Sequence, residues 1–187
     1  MNDTIKTILS RRSVRSYLPQ QLKESDLDLI IKAGLNAPSA RNEQSWHFTV
    51  IQSRKVISNL LEASREAMLN SGDENLKKYA EDENFNIFYD APTVIVVSGD
   101  KSAIAAPLDC AAATENMLIA AESLNIGTCW IGLVSPLFKS ERAEEFKRLF
   151  EIPENNELYY AVTIGYKTNE NEQAAPRREN TVNFIRE

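Results

Sequence analysis

The stretch Thr93-Val94-Ile95-Val96-Val97-Ser98 constrains the fold more than any other. It carries no charge and is rich in β-branched residues, so it reads as a strand. Apolar and polar positions do not alternate along it. Neither face is suited to water, and helices must cover both. Residues 107–125 supply one cover, as the longest helix. Cys110, Ala111, Ala112, Ala113, Met117 and Leu118 leave that helix little polar face. Its alanines permit close helix–helix approach, which predicts a dimer with this helix near its centre. A central helix within a monomer is the alternative.

The whole chain of 187 residues reads as one domain, residues 1–187, without internal repeats. Ile5, Ile8 and Leu9 share a face of a helix over 4–11, with Asp3 as its N-cap. Ser25 followed by Asp28 resembles a capping box for a second helix, which ends near Asn36-Ala37-Pro38. Residues 38–45 are a polar loop feeding a strand over 46–51. Trp46 and His47 read there as a core residue and a hydrogen-bonded strand histidine, with ligand contact as the alternative. Helices follow at 54–69 and 74–81, separated by a break at Asn70-Ser71-Gly72-Asp73. The acidic, aromatic segment 82–88 is expected to cover a pocket or an interface. Residues 127–132 form a strand entering a turn at Gly132, where a missing side chain lets a backbone N–H approach a ligand. A helix over 140–150 and a strand over 158–166 complete the pattern. A polar loop then leads to a tail whose Phe184-Ile185 pair suggests docking.

Charge and residue counts narrow the chemistry. The formal net charge is −6, which argues against a nucleic-acid partner. Yet Arg11-Arg12-Ser13-Val14-Arg15-Ser16-Tyr17 gathers three guanidinium groups, whose planar forks suit phosphate oxygens. Cations solvated at a helix C-terminus are the alternative. Arg177-Arg178 is a second basic pair. The single histidine, His47, leaves a protein-held zinc site or a serine hydrolase without its parts. Cys110 and Cys129 make no disulfide framework, and no signal peptide or apolar span is visible. The expectation is a cytoplasmic protein with reduced thiols and no membrane partner. If the chain is an enzyme, a bound cofactor does the demanding chemistry.

Six motifs follow one another along the chain: Arg11-Arg12-Ser13-x-Arg15, Ala37-Pro38-Ser39-Ala40-x-Asn42-x-Gln44-x-Trp46-His47-Phe48, Ala91-Pro92 before the buried strand, residues 127–132, Ile164-Gly165-Tyr166 and Pro176-Arg177-Arg178. In this order and spacing they resemble the flavin-dependent nitroreductase family. The resemblance covers nearly the whole chain. It implies an α+β fold with a central, mostly antiparallel sheet between helices. It also implies a homodimer with two interfacial FMN sites, and an extension over about 166–187 that wraps the partner.

By the same resemblance, Arg11 and Ser13, with Arg177 or Arg178, hold the FMN phosphate and ribityl chain, and Arg12 contacts the same region. Arg15 is the cation beside the flavin pyrimidine. Pro38, Ser39, Ala40 and Asn42 belong to a loop that lies along the ring of the second subunit's flavin. Asn70 matches an asparagine at the pyrimidine edge, and Ile131-Gly132 presents a backbone N–H to N5. The implied activity is reduction of a nitroaromatic, quinone or similar small-molecule acceptor by NAD(P)H, with hydride passing through N5. FMN storage or sensing, or a specialised substrate, is the alternative. Two positions depart from the family pattern: Ser45 replaces a proline, which predicts a more mobile loop, and Ala40 replaces a serine. Arg41 is an added cation, suited to acidic substrates or a nucleotide phosphate.

Overall fold

In the computed structural model, which describes residues 1–168 and 174–186, the apolar strand extends by two residues to become β2 (Thr93–Asp100). It is buried along nearly its whole length, as its composition requires. It pairs antiparallel with β1 (Trp46–Ile51) on one side and β4 (Asn156–Tyr166) on the other. The strand β3 (Ile126–Ile131) closes the far edge, giving the order β1-β2-β4-β3 with every pairing antiparallel. The register sets Trp46 opposite Gly99 and Ile131 opposite Ala161.

Helices cover both faces. On one, Ile95, Val97, Val162 and Ile164 meet α2 (Glu24–Leu35) and α5 (Ala106–Ser123). Gly34 of α2 allows the close approach here, since a Cβ on it would lie 2.8 Å from Met117 Cγ. On the other face, Val94, Val96 and Ala161 meet α3 (Arg54–Leu69), α6 (Ser135–Phe138) and α7 (Ala143–Leu149). Fully burying a large side chain such as Phe88 or Phe146 contributes roughly 1.5–3 kcal/mol. Burial also raises the phenol pKa of Tyr160 and pushes the Cys110 thiol up to about 12.

Several local expectations are corrected. The helix α1 (Asp3–Ser10) is capped by Asn2, whose Oδ1 accepts from Ile5 N at 3.0 Å, rather than by Asp3. Ser25 lies inside the first turn of α2, which begins after Lys23 without a side-chain cap. The helix expected over 140–150 starts only at Ala143 and is preceded by the separate turn of α6. Segment 82–88 contributes to the core. Ile87 and Phe88 are buried behind α3 and α4 (Glu74–Glu81), because a turn that carries apolar side chains lowers its free energy by burying them.

Candidate functional site

A cleft of about 640 Å³ opens between α3, the turn after β3 and residues 139–142. Its size is that of a small-molecule site. Asn70 reaches it from the end of α3, and Gly132 from the turn. The turn is fixed by Ser135 N donating to Gly132 O at 2.9 Å. A Cβ on Gly132 would meet nothing within 4 Å, so the backbone there faces open space that a side chain would fill. Ala63, Ala67 and Leu76 line the cleft with apolar surface. Arg142 joins its two walls by donating from Nη1 to Glu66 Oε2 at 2.7 Å, and it also donates from Nε to Glu145 at 3.0 Å. The hydrogen bond to Glu145 is the main cause of a raised Arg142 pKa and of a lowered Glu145 pKa. Glu66, Lys139 and Arg142 escaped the sequence reading, since no short motif marks them.

The arginine segment crosses the sheet. Val14 N donates to Thr128 O at 2.8 Å, and Leu18 N to Tyr166 O at 2.9 Å. Two glycines make the bed for it. A Cβ on Gly127 would lie 2.8 Å from Val14 Cγ1, and one on Gly165 would lie 3.1 Å from Tyr17 Cδ1. The Tyr17 hydroxyl donates to Val14 O at 2.6 Å and lies 2.8 Å from Thr163 Oγ1. Burial raises its pKa well above the ordinary phenol value, against the opposing effect of the Thr163 bond.

The three guanidinium groups have different surroundings. Arg11 Nε is 3.9 Å from Glu115 Oε1. Arg12 turns back on α1, with Nη1 donating to Leu9 O at 2.9 Å and to Arg11 O at 2.6 Å. Its Nε is buried without a hydrogen-bond partner among the described residues, and a buried donor of this kind suits an anionic acceptor. Arg15 Cζ sits 5.9 Å from the centre of the Tyr89 ring. Ser13 forms a parallel bridge with Thr128.

The loop 38–45 is anchored elsewhere. Asp109, in the first turn of α5, accepts from Ala40 N at 2.9 Å and from Ser45 Oγ at 2.8 Å. Ser45 O also accepts from Asp100 N at 2.9 Å. Ser45 is therefore buried and bonded on both its side chain and its carbonyl, a fixed point where its sequence suggested looseness. A lone carboxylate at the start of an alanine-rich helix was the signal that could have revealed Asp109.

Within one chain, then, Asn70 and Gly132 share the cleft. Neither the arginine segment nor Pro38, Ser39, Ala40 and Asn42 belong to its lining. Arg177 and Arg178 lie exposed in a tail over 174–186, and the expected loop at 169–173 falls outside the described residues. Among the described residues, no helix is long and apolar enough to cross a membrane. The cleft offers an open glycine backbone to a small molecule, and the Arg12 donor, which lies outside the lining and has no partner among the described residues, suits an anionic group.

Comparison with known proteins agrees with this chemistry. Residues 8–166 match the model of the Nitroreductase family. A protein of Archaeoglobus fulgidus, provisionally named an NADH dehydrogenase/NAD(P)H nitroreductase, is 35% identical over 176 residues. The match covers 91% of this chain and 88% of the relative. A crystal structure of a nitroreductase with bound FMN from Bacteroides fragilis is similar over the full length of both chains, with a TM-score of 0.92 at 32% identity. A second nitroreductase with bound FMN, from Desulfitobacterium hafniense, also covers both chains fully, with a TM-score of 0.88 at 26% identity.

Proposed function

The chain belongs to the nitroreductase family, and from that premise we propose that it is an FMN-dependent oxidoreductase that uses NAD(P)H to reduce small nitroaromatic or quinone acceptors. The observation that carries this reading is the cleft shared by Asn70 and Gly132, where the backbone of Gly132 faces open space. FMN, when bound, would supply the hydride-transfer chemistry between a reduced nicotinamide and the acceptor. The chain's own work is to bind, orient and polarise. Asn70 offers an amide to the edge of the ring, and Gly132 offers a backbone N–H. Arg11, Arg12 and Ser13, with Arg177 or Arg178, neutralise the phosphate and hold the ribityl chain. Arg15, steadied against Tyr89, supplies positive charge that favours the reduced, anionic ring. No protein acid or base is needed, in keeping with the single histidine.

The working unit in this proposal is a homodimer whose extension over about 166–187 lies on the partner subunit. Exposed apolar residues support it. Ile5, Ile8 and Leu9 on α1, Leu29 and Leu35 on α2, and Leu108 on α5 face outward, as do Val182, Phe184 and Ile185 of the tail. In the dimer, Pro38, Ser39, Ala40 and Asn42 of one subunit lie along the flavin of the other.

Anaerobic mixing of the purified holoprotein with NADH and with NADPH tests the proposal. Bleaching of the flavin absorbance, and its return on adding a nitroaromatic or quinone, is expected. A protein that binds no FMN, or whose bound flavin neither nucleotide reduces, overturns it. Arg15→Ala is expected to slow flavin reduction at least tenfold, about 1.4 kcal/mol of lost stabilisation. An unchanged rate would remove Arg15 from its role.

A further inference from the structure

The short loop at 40–44 holds Arg41, Asn42 and Gln44 at φ of 51°, 58° and 48°. Left-handed backbone is uncommon for arginine and glutamine, and it persists only where surrounding structure dictates it. Asp109 does much of the dictating. It is 4% exposed, and a buried carboxylate is costly unless hydrogen-bonded. Its two oxygens are satisfied from the two ends of the loop, by Ala40 N at 2.9 Å and Ser45 Oγ at 2.8 Å. Lesser ties assist: Glu43 Oε2 accepts from Ile104 N at 2.8 Å, and Ser39 Oγ accepts from Gln44 N at 3.0 Å. The buried carboxylate is thus satisfied only while the two ends of the loop keep this placement.

We infer that Asp109 is a positioning residue, acting through Ala40 N and the Ser45 hydroxyl to fix the form in which residues 38–44 meet the flavin. The inference rests on the FMN reading proposed above. Asp109 itself is spent on the loop and is assigned no contact with flavin or substrate.

The test compares full-length wild type with Asp109→Asn, Ser45→Ala and Ser45→Thr, and with Thr114→Val as a control. Thr114 is a buried polar residue on the same helix whose hydroxyl pairs with Tyr160 at 3.0 Å. Two quantities are read: the rate of tryptic cleavage after the exposed Arg41, and the FMN dissociation constant from flavin fluorescence. Asp109→Asn and Ser45→Ala are expected to be cleaved about tenfold faster and to bind FMN about tenfold more weakly, the factor carried by one hydrogen bond to a charge. Ser45→Thr restores both values, and Thr114→Val moves neither beyond about twofold, whatever its loss of thermal stability. Faster cleavage with unchanged FMN affinity overturns the inference, and so does unchanged cleavage. If Asp109→Asn does not fold, the two Ser45 variants decide. If wild type binds no FMN, the proposed function fails. The cleavage rates then decide on their own whether Asp109 sets the loop.

Discussion

Loops 38–45 and 82–90 are each held by one charged side chain from a neighbouring helix, and the charges have opposite sign. Asp109 accepts from the first loop. Arg65 donates to the second, from Nη1 to the carbonyl of Asp82 and from Nη2 to those of Glu83 and Phe85, and its Nη1 also donates to Ala80 O at the end of α4. Both loops contain left-handed residues, Arg41, Asn42 and Gln44 in one and Tyr89 and Asp90 in the other. They differ in what else holds them. Loop 82–90 buries Ile87 and Phe88, and Phe85 packs against Tyr79 and Tyr89. Loop 38–45 leaves Arg41 through Gln44 exposed and buries only Ser45 fully. A loop with its own apolar anchor uses a charge to satisfy carbonyls. A loop that keeps its side chains outside, free to touch something else, depends on the charge for its shape.

The largest effect is expected from Arg65→Met, which removes the donor from all these carbonyls. Water reaches some of them, so the loss of global stability should be about 2–3 kcal/mol, with FMN affinity unchanged. Denaturant unfolding and flavin titration on the same sample check this. Weakened FMN binding would break the contrast with Asp109.

Alkaline pH gives a smaller effect from outside both loops. Burial keeps Tyr17, Tyr160 and Cys110 neutral in the fold. In the unfolded chain they release protons near pH ~10 for the phenols and ~8.5 for the thiol. Their contribution is therefore fully present below those values and is lost as pH rises through and beyond them, by up to about 1.4 kcal/mol per group per pH unit. The unfolding midpoint should fall between about pH 9 and 11, and Tyr160→Phe should lessen the fall. Denaturant midpoints measured across this range check both, and an equal fall in the variant would discount Tyr160.

The smallest effect belongs to Arg41→Gly. Relief of the left-handed strain should offset the added chain entropy, leaving stability within about 1 kcal/mol of wild type. If Arg41 meets a nucleotide phosphate, the KM for NAD(P)H rises while kcat holds, and steady-state kinetics shows it.

What the sequence made legible follows the same division. β1, α3 and α4 have the bounds read from their patterns, because propensity, periodicity and caps agree there. The side chains of Ser53 and Asp73 accept from the first turns of α3 and α4. Asn70 and Gly132, candidates in the sequence, both line the one cleft described above. The partners of Asp109 and Arg65 were not legible, although the lone carboxylate at the start of an alanine-rich helix marked Asp109 itself. Each acts on backbone far away in sequence or in a loop without periodicity, and a pattern of side-chain types carries no record of such bonds. Arg12 shows a further limit. Its Nη1 serves the end of α1 while its Nε has no partner among the described residues, a division within one side chain that the residue type alone does not show.

The glycine-floored crossing of residues 13–18 bears on the order of assembly. Tyr17 is seated on Thr163, 146 residues later, and Ser16 on Thr168. The guanidinium-bearing segment is synthesised early, yet it has no bed until the last strand joins the sheet. Long-range pairings of this sort form late, after the costly loop closures between them. Under the proposed function, a nascent chain would thus spend most of its synthesis without a phosphate grip, and ligand capture would coincide with completion of the sheet.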